Sequence, residues 1–271
     1  MDVPGFALIT GAASGIGQAC ALAFASEGAA GLALFDLNLE ALSNVKLEIE
    51  NVLAEKGISK HCQIELRAVN VSNEDEVNFT VREVARKFGR LDYVVNAAGI
   101  AMKHPGGAAY VETSDWQRIL NVNLTGSFFV LRAAARVMLQ QNPILSNIDG
   151  RPLQRGAIVN IGSIQAVAGI PASTAYSTSK HGILGLTRTA SEDYAKDGLR
   201  INAICPGYTE TPLTSQPEVL KVMKEKVASS VPMQRMGSPR EIADGILYLA
   251  GGRSSFVTGT ALFVDGGYTQ R

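Results

Sequence analysis

Tyr176 and Lys180 stand four positions apart in the run Ala175-Tyr176-Ser177-Thr178-Ser179-Lys180. On a helix, that spacing sets both side chains on one face. A free tyrosine, with a pKa of about 10, is a poor base at neutral pH. An ammonium about 4 Å from the phenolate oxygen is worth roughly 4 kcal/mol at an effective dielectric near 20, or about three pKa units. Such a shift brings the phenol to working pH, where a general acid/base is most effective. A solvated Tyr and Lys on a helix surface would show the same spacing, so Ser163 carries much of the weight. It follows the apolar run Ala157-Ile158-Val159-Asn160-Ile161, at the carboxyl end of an expected strand, where catalytic groups gather. A hydroxyl there can donate to a substrate oxygen beside Tyr176 and support a developing alkoxide. The trio predicts proton transfer at a carbonyl or alcohol oxygen.

The hydride partner is read upstream, in Thr10-Gly11-Ala12-Ala13-Ser14-Gly15-Ile16-Gly17. Glycines at 11, 15 and 17, between an expected strand and helix, allow a tight turn and close backbone approach to a pyrophosphate. The helix N-terminus then offers N–H groups and partial positive charge to the phosphates. An ordinary strand-to-helix turn could look alike, but Asp36 ends the next expected strand. A carboxylate there can accept from the adenosine ribose hydroxyls and would repel a 2′-phosphate. No basic residue follows at Leu37 or Asn38, and none lies in the glycine loop. The sequence favours NAD over NADP.

These groups need a scaffold, and the chain alternates short apolar runs with longer amphipathic stretches, the pattern of βαβ units and a parallel sheet. Strands are expected at 7–10, 32–36, 64–69, 93–95, 157–161, 200–204 and 261–264. Helices are expected at 15–27, 39–55, 74–88, 113–140, 175–196 and 238–250, the last with Ser238-Pro239 as N-cap and first residue. Two segments break the rhythm. Residues 141–155, with Pro143, Asp149-Gly150 and Pro152, read as an inserted polar loop. Residues 208–237 carry three prolines around an amphipathic piece at 218–227, and read as a substrate lid after the sixth strand. Its Leu213, Val219, Leu220, Val222, Met223 and Val227 suit a mid-sized, largely apolar secondary alcohol, such as a polyketide, terpenoid or steroid-like ring.

Bulk composition narrows the class. With 46% apolar and 18% charged residues, the chain suits a well-buried globular enzyme, not a disordered one. No linker divides it, so one α/β domain is expected. Lys plus Arg equals Asp plus Glu at 25 each, so nothing marks a nucleic-acid or anionic-membrane surface. No signal peptide is visible and no apolar run reaches the roughly 18 residues of a membrane helix. Cys20, Cys62 and Cys205 are scattered, as reduced thiols in the cytoplasm would be. His61, His104 and His181 show no metal-ligand spacing, so no metal is expected; His181 points about 100° away from Lys180 around a helix. Trp116 and Cys205 read as packing residues. Gln165 and Tyr208, close in sequence to Ser163 and to a Pro-Gly turn, are candidates for substrate contact.

Together these motifs resemble the classical short-chain dehydrogenase/reductases along nearly the whole chain. The resemblance implies a doubly wound, Rossmann-type domain of about seven parallel strands, with Asn123, Ser163, Tyr176 and Lys180 as a catalytic tetrad. Asn123, in Asn121-Val122-Asn123-Leu124-Thr125-Gly126, would hold a proton-relay water, and Lys180 would also hold the nicotinamide ribose. Cofactor contacts would come from Gly11, Ser14, Gly15, Ile16 and Gly17, then Asp36 and Leu37. Further contacts would come from Asn96, Ala97 and Ala98 of Asn96-Ala97-Ala98-Gly99, and from Tyr176 and Lys180. Pro206, Gly207, Thr209 and Thr211 resemble the turn that fixes the carboxamide. Val257-Thr258-Gly259 and Val264-Asp265-Gly266-Gly267 match the usual ending. One departure is Asn70-Val71, where the family commonly has Asp-Val against adenine; asparagine keeps an acceptor and adds a donor. The resemblance implies a homotetramer acting on a small molecule. An NADPH-dependent biosynthetic ketoreductase, a non-redox dinucleotide sensor and a lyase or cyclase on the same scaffold are the alternatives.

Overall fold

Among the described residues seven strands pair in parallel in the order β3-β2-β1-β4-β5-β6-β7, the five inner ones largely buried and the two edge strands more exposed. They are β1 (Phe6–Thr10), β2 (Gly31–Asp36), β3 (Gln63–Ala68), β4 (Tyr93–Asn96), β5 (Gly156–Ile161), β6 (Leu199–Pro206) and β7 (Ala261–Val264). The computed structural model describes residues 3–55, 57, 62–214 and 217–270, without the side chains of 217–219; His61 and the Val219 side chain therefore lie outside what is described. Each buried strand feeds both faces of the sheet in alternation, as a period of two requires. Ala7, Ile9, Tyr93, Val95, Ala157 and Val159 pack to one side. Leu8, Val94 and Ile158 pack to the other.

Helices cover both faces. α1 (Gly15–Ser26), α2 (Leu39–Glu55) and the later α8 (Pro239–Ala250) bury Cys20, Phe24, Ile49 and Ile246 against the first face. On the second, α3 (Glu74–Phe88) and α5 (Ser127–Met138) bury Val77, Val81, Val130 and Leu131. α8 begins as its sequence predicts. Ser238 Oγ accepts from the Glu241 N–H at 3.3 Å, while the Ser238 N–H donates to Glu241 Oε2 at 2.8 Å, a reciprocal capping box. α6 (Thr174–Tyr194) carries Tyr176 and Lys180, and α7 (Pro217–Ser230) crosses outside the sheet. Among the described residues no helix is long and apolar enough to cross a membrane.

The stretch 113–140, expected as one helix, is instead three pieces. α4 (Thr113–Leu120) runs into a π-helical turn at Asn121–Gly126 before α5 begins. The wider turn is held where Asn123 sends its amide out of the helix to Ile100, and such π segments recur at functional sites. The inserted segment 141–155 forms a small hairpin, with Leu153 N–H donating to the Ile144 carbonyl at 2.8 Å. Gln154 Nε2 donates to the Ala250 carbonyl, and buried Arg200 donates to the carbonyls of Leu249, Ala250, Gly251 and Val257. This clamp sits at the amino ends of β5 and β6, away from the cleft, so its work is to tie α8 to the sheet.

Between β1 and its neighbours β2 and β4 the connections diverge, and a crevice opens at the strands' carboxyl ends. Open α/β sheets bind ligands at such a switch point.

Candidate active site

The crevice holds two cavities of about 500 and 520 Å³ that share Ile16, Thr211, Pro212 and Leu213 in their walls. Gly11, Ser14, Gly15, Gly17, Asp36, Leu37, Asn70, Val71, Ala97 and Ala98 line the first. Ser163, Gln165, Tyr176, Pro206, Gly207, Tyr208 and Thr209 line the second. Residues scattered over nearly the whole chain thus converge on one cleft.

The first cavity has the form of a phosphate cradle. Gly11 has φ +64°, and a Cβ there would lie 2.8 Å from the Ala98 nitrogen; one on Gly17 would lie 2.1 Å from the Gly11 carbonyl oxygen. Only glycine lets loop, helix and the Ala97-Ala98 strand end approach this closely. Ser14, the N-cap of α1, makes no side-chain capping bond, and the first turn has no acidic residue. The helix N–H groups and their partial positive charge therefore face the cavity uncompensated. Asp36 closes the far wall. Its Oδ2 accepts from the Ala13 N–H and its Oδ1 from the Asn38 N–H, both at 3.1 Å, so the carboxylate is aimed before any ligand arrives. These features fit a dinucleotide.

Two sequence assignments change character. Asn70 Oδ1 accepts from the Ser72 N–H and Oγ–H, so the residue that replaces the usual aspartate also fastens its own turn. Asn96 is buried and absent from the cavity wall; its Nδ2 donates to Asn160 Oδ1 at 2.9 Å and to the Ser127 carbonyl. Asn160 Nδ2 in turn donates to Thr187 Oγ1 on α6. Asn96 therefore braces β4, β5 and α6, and Ala97 and Ala98 form the wall. Thr10, which the motif reading passed over, orients them: its Oγ1 accepts from both N–H groups at 3.1 Å. Its signal was a hydroxyl ending an otherwise apolar strand.

In the second cavity, Ser163 leaves β5 in extended conformation (φ −174°) and caps a short 3₁₀ turn, its Oγ accepting from the Gln165 N–H at 3.1 Å. One lone pair is thus occupied, and the O–H remains able to donate within the cavity that Ser163 and Tyr176 both line. Gln165 Oε1 accepts from Ser177 Oγ–H, which fixes the side chain in the cavity wall. Tyr208 meets Tyr268 edge-on at 5.7 Å. Thr214 Oγ1 donates to the Thr209 carbonyl and accepts from the Thr211 N–H, fixing the turn after Pro206-Gly207.

The expected Tyr–Lys coupling takes a different form. Lys180 is buried, with Nζ 5.6 Å from the centre of the Tyr176 ring and donating to the Ile161 carbonyl at 2.7 Å. A buried ammonium needs acceptors, and the last carbonyl of β5 supplies one. Burial lowers the Lys180 pKa to about 8. Burial also pushes the Tyr176 phenol above its ordinary value, against the pull of the nearby Ser163 hydroxyl. Desolvation, not the nearby ammonium, dominates the phenol. Asn123 holds the neighbouring wall: its Oδ1 accepts from the Ile100 N–H at 2.8 Å, and its Nδ2 donates to the Ile100 carbonyl and to Ser179 Oγ. His104 is buried with Nε2 3.6 Å from Asp115 Oδ2, and His181 is exposed on α6 with Nδ1 2.9 Å from the Ser177 carbonyl oxygen.

Residues 11–269 match the family described as enoyl-(acyl carrier protein) reductase. The short-chain dehydrogenase fogB of Aspergillus ruber is 38% identical over 99% of this chain and 98% of its own length. The 3-oxoacyl-[acyl-carrier-protein] reductase FabG of Thermotoga maritima is 36% identical over 96% of each chain. Among solved structures, a short-chain type dehydrogenase/reductase from Mycobacterium marinum superposes with a TM-score of 0.86 at 31% identity, covering 99% of this chain and 97% of its own. Related end to end in both sequence and fold, the chain belongs to the short-chain dehydrogenase/reductase family and is an oxidoreductase.

Proposed function

We propose that the protein transfers hydride between NAD(H) and a secondary alcohol or ketone, with Tyr176 as acid/base. The observation that carries this reading is the convergence of Ser163 and Tyr176 on one cavity wall, next to a glycine cradle closed by Asp36. A nicotinamide held in the first cavity would supply or accept the hydride. The protein's own part is the proton. In ketone reduction the Tyr176 O–H gives its proton to the carbonyl oxygen as the carbon becomes an alcohol; oxidation returns it. Burial keeps the phenol protonated at neutral pH, the form that reduction needs. Ser163 O–H donates to the same substrate oxygen and stabilises its developing charge. Lys180 brings a cation to the site, and Asn123, buried beside Ser179, holds the wall along which protons would be relayed.

Asp36 supports NAD over NADP, because a 2′-phosphate would meet an already oriented carboxylate with no basic partner at Leu37 or Asn38. Residues 208–237 act as the lid, closing an apolar cavity for a mid-sized natural-product-like substrate. Exposed Phe256 and Tyr248 offer apolar surface that further copies would cover in the homotetramer the family resemblance implies.

The test is titration with NADH and NADPH, followed by nicotinamide fluorescence, for wild type and Tyr176→Phe. Clear NADH preference in both, with turnover of the variant lowered about 10³-fold, is the expected result. Full turnover by Tyr176→Phe, or NADPH preference, would overturn the corresponding part.

A further inference from the structure

Charge is almost absent from the wall of the substrate cavity. Met102, Ile164, Ile170, Leu213 and Met223 make it apolar, and Lys103 is the one charged side chain among the described lining residues. Lys103 lies between β4 and α4 and is steered by its own hydrogen bond, Nζ donating to the Pro171 carbonyl at 3.1 Å. The same stretch is fastened at its next residue, where the His104 N–H donates to the Ala172 carbonyl at 2.9 Å. The helix α7 reaches the same cavity. Met223 of α7 lines the cavity, and Lys226, three residues on, shares its face. Burial first, and then the charge of Lys226, hold the Lys103 pKa below the usual lysine value. Among the described residues, no ion pair joins either lysine to a carboxylate.

A second ammonium near Lys103 disfavours its charge beside an apolar cavity, and an anion between the two removes that penalty. We propose that the substrate carries an anionic group, a carboxylate or phosphate, in addition to its reacting carbonyl, and that Lys103 in the cavity wall and Lys226 on α7 beside it receive that group. The inference rests on carbonyl chemistry at Tyr176 and names the second feature by which the substrate is chosen. Lys103, hydrogen-bonded to a fixed carbonyl, orients the anion. Lys226 rides on the lid helix, so an anionic substrate draws the lid toward Lys103.

Matched ketones test this: para-acetylbenzoate and para-acetylphenyl phosphate against neutral para-acetylbenzamide, with NADH. The enzymes are wild type, Lys103→Met, Lys226→Met and Lys103→Arg. Both lysines are exposed, and thermal melts confirm that the variants fold. Wild type is expected to show a KM about ten-fold lower for the anionic ketones than for the amide. That ratio collapses in Lys103→Met, shrinks in Lys226→Met and is restored by Lys103→Arg. The order of benzoate and phosphate says which anion the site prefers. Equal KM for acid and amide, or a preference that survives both methionine variants, overturns the proposal. If no ketone turns over, the reading of the reaction fails by itself. The anion site is then judged by calorimetry of benzoate and benzamide on NADH-loaded protein, where equal affinity overturns it.

Discussion

At the scale of single residues, the site turns on where a buried ammonium finds its acceptor. Lys180 gives a hydrogen bond to the Ile161 carbonyl and is otherwise desolvated, which brings its pKa to about 8. In the unfolded chain the same lysine keeps an ordinary value near 10.5. Between those two values the unfolded state binds more protons, so stability contributed by this group rises with pH, by at most about 3 kcal/mol over the full interval. Under the proposed mechanism activity runs the other way, because the rising pH removes the cation that Lys180 would bring to the reaction. The free enzyme's kcat/KM is therefore expected to fall as pH climbs through about 8, while the denaturation midpoint of wild type gains on that of Lys180→Met. Parallel stability curves for the two proteins between pH 8 and 10 would show that Lys180 does not titrate there.

At the scale of elements, the π turn at Asn121–Gly126 shows how one side chain can hold two segments together. Asn123 clamps both the N–H and the carbonyl of Ile100, in a stretch that lines the cofactor cavity. Asn123→Ala leaves that pair without partners and should lower stability by about 2 kcal/mol, with weaker NADH binding; a denaturant midpoint equal to wild type would remove the clamp. Asn123 itself was legible from its motif, but the π turn was not, because a single wide turn hardly disturbs the apolar spacing of 113–140. Most strands were legible for a plain reason: they are short, mainly apolar runs, although β3 and β6 carry charged residues such as Glu65, Arg67 and Arg200. Ser163 and Tyr176 could be read because their types and their places after β5 and on α6 are local facts. The Lys180–Ile161 bond and the Asn96–Asn160–Thr187 brace join residues tens of positions apart, and no local pattern encodes them. Lys103 sits in a loop with no motif, so only the assembled cavity gives it a meaning.

At the scale of the whole molecule, the two cavities form one system. Ile16, Thr211, Pro212 and Leu213 belong to both walls, so a ligand in either cavity bears on the same four side chains. The segment around α7 packs on its own small core, in which Val227, Val231 and Met236 meet Tyr208, Leu220 and Tyr268, separate from the two layers that flank the sheet. An element with its own core can shift as a unit without disturbing the sheet. Leu213 is the natural coupler, since it stands in both walls while remaining 55% exposed. If one ligand orders the shared wall, the second meets a site already shaped, and linkage makes the effect reciprocal. Diphenylmethanol and NADH cannot react with each other, so their mutual effect can be read at equilibrium. Calorimetry should show each tightening the other about ten-fold in wild type, within the usual range of coupling between sites. In Leu213→Ala the mutual effect should fall below about three-fold, with each separate affinity changed far less. Coupling that persists undiminished in that variant would mean the two cavities communicate through the sheet and not through the wall they share.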